Sequence, residues 1–232
     1  MTLTRQSRSH AGPPLVALAV VHVLLFVASI VFGNLLRHGE AFVNPYGPAE
    51  AARNFFANNP RALRVSAFFF FGSAIPLGLF TATIVDRLRF LGVRAAGTNI
   101  ALFGGFAASG AVAISGLCSW VLAVPEVSAS LPATRVLHFL SFLFGGVAFA
   151  VGFGLLAAGV SVTSYFFRLL PRWLIWFGLF IALAGELSSL SLIAIPATFA
   201  IPITRFGGFI WLIAAGAALP KRAPSDEGAS SA

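Results

Sequence analysis

Apolar residues come in six long runs, at 15–36, 65–85, 95–124, 136–163, 173–195 and 203–219, separated by short breaks that hold most of the charge. A hydrocarbon core roughly 30 Å thick is crossed by about 20 helical residues rising 1.5 Å each, so each run predicts a membrane span. The third and fourth are long enough that they must tilt or protrude into the headgroup layer. The expected fold is all-α: a polytopic transmembrane helix bundle of six spans over 15–219, with an N-terminal tail at 1–14 and a disordered tail at 220–232. The first run exceeds the 7–15 residues of a signal-peptide core and lacks a clear small-x-small cleavage site, so an uncleaved first span is expected.

The breaks carry their own signals. Pro76 falls inside the second run, where its ring removes the bond to the Gly72 carbonyl and predicts a kink; Ser73 is placed to satisfy the freed backbone. The one long polar connection, 37–64, contains the turn pairs Asn44-Pro45 and Gly47-Pro48. Within it, 49–58 puts Ala51, Ala52, Phe55 and Phe56 on one side of a short helix and Glu50, Arg53 and Asn54 on the other. That helix either lies on the membrane surface or packs its phenylalanines on the bundle. Asn59 reads as the cap and Pro60 as the first residue of the helix that follows. Pro196 and Pro202 bracket the last turn.

Composition enters as an exclusion. Hydrophobic residues make up 58% of the chain and charged residues 9%, against roughly 25% charged in a soluble domain; the mean hydropathy of +0.92 agrees. A net charge of +8 would suit nucleic acid, but the arginines sit at the ends of apolar runs and not in one patch. That is how membrane topology is encoded, and no nucleic-acid partner is expected. Arg5, Arg8, Arg87, Arg89, Arg94, Arg168, Arg172, Lys221 and Arg222 fall on the side of the termini, and Arg37, Arg53, Arg61, Arg64, Arg135 and Arg205 on the other. The bias predicts that both termini are cytoplasmic. Cys118 is the only cysteine, which excludes an intrachain disulfide and a cysteine zinc site.

Small residues mark the helix contacts. Gly146, Ala150, Gly154 and Ala158 form a ridge on the fourth span, and Gly105, Ser109 and Ala113 on the third; such ridges let backbones approach. On the fifth, Gly178 and Ala182 recur every four residues and lead to Glu186, with Ser189 three residues on, so the acid is expected to share the small face and point into the bundle. Phe-Gly-Gly recurs at 103–105, 144–146 and 206–208, from duplication or from coincidence in a chain rich in both residues.

Candidate chemistry is sparse. Glu186 lies about 20 Å beyond Trp173, past the midplane, where a carboxylate is costly and marks a site by default. His138 on the preceding span lies within about 5 Å of the same depth. The two suggest either a buried polar site, with Ser189 beside the acid and Arg135 or Arg205 at its mouth, or a protonated acid that only bonds two helices together. His22 and His138 differ too much in depth to share one haem iron, and no metal or other cofactor is expected.

Phe71-Gly72-Ser73-Ala74-Ile75-Pro76-Leu77-Gly78, the turn Leu91-Gly92-Val93-Arg94-Ala95-Ala96-Gly97, and Leu170-Pro171-Arg172-Trp173-Leu174 resemble patterns in an uncharacterised family of six-helix bacterial inner-membrane proteins, a domain of unknown function. The resemblance spans 15–219 and implies a bacterial inner membrane, but brings no activity. There is no His-Glu-x-x-His, no Gly-x-Ser-x-Gly and no acid cluster, so no catalytic residue is assigned. These absences favour a non-enzymatic interaction or accessory protein, whose partners are the lipid bilayer and either another membrane protein or a second copy of itself. The alternatives are a small-molecule or proton-linked permease using Glu186 and, after it, a membrane-embedded enzyme.

Overall fold

The computed structural model describes residues 10–37 and 40–222. Expectations for 1–9, His38, Gly39 and 223–232 lie outside the described residues. The spans are α1 (Leu15–Leu36), α3 (Pro60–Phe90), α4 (Ala96–Val121), a continuous rod of α6 (Leu131–Leu143), a π turn (Phe144–Ala148) and α7 (Phe149–Phe167), then α8 (Arg172–Leu187) and α9 (Ala200–Ala218). Short helices α2 (Ala49–Asn58) and α5 (Pro125–Ala129) sit in the connections, and two 3-10 turns, Ser188–Leu192 and Ile195–Phe199, join α8 to α9. Six helices are long and apolar enough to cross a bilayer, so the protein is a multi-pass integral membrane protein with an all-α fold.

Neighbours run α1, α3, α4, α7, α8, α9 and back to α1, a closed ring of spans. Phe80, Phe149, Phe153 and Trp211 fill its inside, while Leu24, Phe68, Phe103, Phe166, Trp176 and Phe180 point outward, as lipid-facing positions should. The rod from Leu131 to Phe167 has 37 residues, roughly 55 Å of helix. It must tilt or reach past a hydrocarbon core of about 30 Å, and its α6 end carries the short connecting helices. There α2 lies against α5 and α6, with Ala52, Phe55 and Phe56 buried beside Leu63, Leu122 and Ala123. The phenylalanines of α2 thus pack on the protein and not on lipid.

Close backbone contact builds the α4, α7 and α8 side. A Cβ on Gly159 would lie 2.5 Å from the Gly97 oxygen and 2.7 Å from the Ala101 nitrogen, and one on Gly152 2.7 Å from the Ala108 nitrogen. Gly154 faces the Ala182 oxygen of α8 at 3.0 Å, and Gly185 faces the Ala150 oxygen at 2.5 Å, both measured from an added Cβ. On its other side α4 meets α3, where Gly105 makes room for Thr81 and Ser109 Oγ donates to the Ala74 oxygen at 2.7 Å.

Several local expectations are corrected. Asn59 forms no side-chain cap on α3; its Nδ2 instead donates to the Phe55 oxygen at 2.9 Å and to Glu40 at 2.8 Å, closing α2. Ser73 does not satisfy the carbonyl freed by Pro76, because its Oγ donates to the Phe70 oxygen at 2.6 Å. Pro202 lies inside the first turn of α9, a place where an absent N–H costs little. Gly92, with φ +87°, takes the left-handed position after α3 and lets the Val93 nitrogen reach back to the Leu88 oxygen at 3.1 Å.

Candidate functional site

A cavity of about 280 Å³ lies near the α2 end, between α1, α3, α4 and α6. Five serines line it: Ser29, Ser66, Ser115, Ser119 and Ser141. Helical serine hydroxyls settle on nearby carbonyls, and all but that of Ser66 do. Ser29 Oγ donates to the Phe26 oxygen at 2.7 Å and Ser119 Oγ to the Ser115 oxygen at 2.9 Å. Ser115 Oγ crosses to the Ser141 oxygen at 2.7 Å, and the Ser119 and Ser141 hydroxyls are 2.8 Å apart. This network holds α4 to α6 while leaving each hydroxyl oxygen a lone pair for a further partner.

Arg37 and Phe42 mark the mouth. The Arg37 guanidinium stands 5.6 Å from the Phe42 ring and 5.4 Å from that of Phe55, and its Nε is buried without a hydrogen bond. Burial pushes this group below its ordinary value, with Glu40 acting in the opposite direction.

Phe26 and Phe70 line the inner end, and Arg205 lies against them. Its guanidinium carbon is 4.1 Å from the Phe149 ring, 4.9 Å from Phe26 and 5.8 Å from Phe70. Its Nη2 donates to the Gly145 oxygen, in the π turn, where the widened helix loosens its own carbonyl ladder. Gly145 also touches Ser115, whose Oγ would lie 2.5 Å from an added Cβ. Arg205 is only 7% exposed, and no ion pair among the described residues involves it. Ring faces and a carbonyl stand where a counter-ion would; a desolvated cation on an aromatic face gains about 2 kcal/mol or more.

His22 belongs to the same cluster through Phe209, whose ring is 5.5 Å from the imidazole and 5.0 Å from Phe26. Its Nδ1 lies 2.8 Å from the Ser73 oxygen. A carbonyl only accepts, so Nδ1 carries the proton and Nε2, buried without a partner, keeps a free lone pair.

The residues expected to form one polar site lie apart. Glu186 is exposed on α8, while Gly178, Ala182 and Gly185 are buried. The reason is angular: at 3.6 residues per turn each step of four overshoots by about 40°, so after two steps from Gly178 the side chain has left the interface. Gly185, seven residues on, falls back within about 20°. Ser189 Oγ donates to the Glu186 backbone oxygen at 2.6 Å, not to its carboxylate. His138 is buried against Phe56 and Phe42, with ring centroids 4.9 and 5.9 Å away. The Val43 backbone approaches its ring, yet neither nitrogen forms a hydrogen bond of ordinary geometry. Arg135 ties the long loop down, donating to the Pro45 and Gly47 oxygens at 3.0 Å each. None of the expected set lines the cavity: Arg205 stands behind Phe26 and Phe70 at its inner end, and His138 packs on Phe42 at its mouth.

No protein family, curated protein or solved structure matches the chain. Among the described residues, no three His, Cys, Asp or Glu side chains group as metal ligands. Four of the five cavity hydroxyls bond to carbonyls or to one another.

Proposed function

We propose that the protein is a small-molecule permease of a bacterial inner membrane, with both termini cytoplasmic and the cavity open to the outer side. The cavity carries this reading: a serine-lined space has Arg37 and Phe42 at its α2 end and Phe26 and Phe70 at the other, with Arg205 behind those rings. Polar groups inside a membrane bundle are costly and usually mark a solute path. A space open on one side and shut by side chains on the other fits one state of an alternating-access cycle. Arginine asymmetry between the two ends supports the orientation. Glu186 has no part in this cavity, so proton coupling through it is not proposed.

The test is uptake by proteoliposomes of a panel of small labelled metabolites, with Ser141→Leu as the filled-cavity control. Uptake lost in Ser141→Leu supports transport. If no solute moves although the purified protein binds one, the permease reading is withdrawn. A second reading, an accessory protein, draws on the exposed Glu186 among outward Leu183, Leu187 and Leu190: a carboxylate on an apolar face favours a covering partner helix.

A further inference from the structure

We infer that the cavity selects an organic anion with an apolar body, such as an aryl or short-chain monocarboxylate; this deepens the cavity reading and rests on it. Charge comes first. Arg37 lines the space directly, and Arg205 stands behind the two rings that form its inner end. No carboxylate lines it among the described residues. The acid that acts on Arg37 is Glu40, which is exposed and already accepts from Asn59. Two cations flanking a low-dielectric space make its potential positive, and that field is weakly screened. A cationic solute is excluded on this ground, and an anion is drawn in.

Shape and donors narrow the class. Ser66 Oγ, which lines the space and has no hydrogen bond among the described residues, and the Arg37 guanidinium are donors for carboxylate oxygens. Phe26, Phe70, Ile30 and Leu63 supply apolar wall for the rest of the molecule. An engineered 150 Å³ cavity holds benzene, so the space here takes about ten to twelve non-hydrogen atoms.

The experiment uses the purified full-length chain in detergent at constant ionic strength, with three probes of nearly one shape: benzoate, benzyl alcohol and benzylammonium. Binding is read by calorimetry and by thermal shift. Benzoate is expected to bind at least tenfold more tightly than benzyl alcohol, and benzylammonium not to bind. Arg37→Gln should weaken benzoate at least tenfold while leaving benzyl alcohol unchanged, and Ser141→Leu should abolish both. Because Arg205→Gln risks unfolding, Arg205→Lys is the second variant, expected to keep the preference for the anion. Equal binding of benzoate and benzyl alcohol, or benzoate affinity unchanged in Arg37→Gln, overturns the anion inference and leaves the cavity reading standing. Binding by none of the three also overturns it; the cavity reading falls as well if Ser119→Cys, in Cys118→Ala, resists a water-soluble thiol reagent.

Discussion

Where α4 meets α7, glycine faces glycine; where α1, α3, α4 and α6 surround the cavity, serine and phenylalanine face one another. The first contact brings backbones so close that a methyl group has no room at Gly152 or Gly159. The second leaves a space walled by Phe26 and Phe70, across which Ser115 on α4 bonds to α6. Lipid offers no hydrophobic drive for one helix to join another, so contact distance follows from side-chain size and polar bonds. Small residues thus give one side rigidity, and mixed residues give the other a space to bind in.

The largest expected effect breaks the rigid side. Gly159→Ala and Gly152→Ala should each cost about 1–3 kcal/mol by overpacking, read as thermal unfolding in detergent. Gly110, on the same helix α4, has nothing within 4 Å of an added Cβ. Gly110→Ala should therefore be neutral or stabilising by up to about 1 kcal/mol. Equal losses at Gly110 and Gly159 would mean that glycine closeness is not what holds α4 to α7.

Next in size is the open side. Ser141→Leu removes the hydroxyl partner of Ser119, keeps the backbone oxygen to which Ser115 donates, and fills part of the space, costing about 1 kcal/mol for the lost hydrogen bond. In a Cys118→Ala background, Ser66→Cys and Ser119→Cys should react with a water-soluble thiol reagent, while Ser161→Cys, fully buried in α7, should not. Uniform reactivity would erase the distinction between the two sides.

The bundle was legible because apolar run length sets span number, whatever the contacts are. Helix ends were less so. The sixth span was read from 203, but α9 begins at Ala200 because a proline is harmless in a first turn. That shift puts Arg205 deeper, and an apparent mouth residue stands behind the rings that close the cavity's inner end. The serines were individually unremarkable, being spread over four helices whose mutual rotation no single helix reveals. The glycine contact did have a signal: Gly97 and Gly104, like Gly152 and Gly159, recur at seven residues, which returns to the same helix face within about 20°. A four-residue rule favoured Glu186 over Gly185. The three Phe-Gly-Gly copies give no common structure, since one opens a π turn and two lie within α-helix.

A smaller effect is expected at the loop that overhangs the cavity. Arg135→Ala removes the two bonds to Pro45 and Gly47 and the stacking on Phe139 at 4.9 Å. Hydrogen exchange of amides at 46–47 should accelerate, with exchange in α4 and α7 unchanged. Acceleration throughout the bundle would make Arg135 a global support and not a loop tether.

The smallest effect belongs to Glu186. Its carboxylate is exposed and makes no hydrogen bond or ion pair among the described residues, unlike Arg205, which is buried and bonded. Glu186→Gln in the isolated protein removes a charge that nothing contacts, so the unfolding temperature should move by no more than about 2 °C. In native membranes the same change becomes informative. If a partner helix covers α8, crosslinking from an exposed neighbour such as Leu183 or Leu190 should capture it in the parent chain and lose it in Glu186→Gln. A large drop in unfolding temperature for the isolated variant would mean that the carboxylate supports this chain's own fold, and the outward placement of Glu186 would have to be given up.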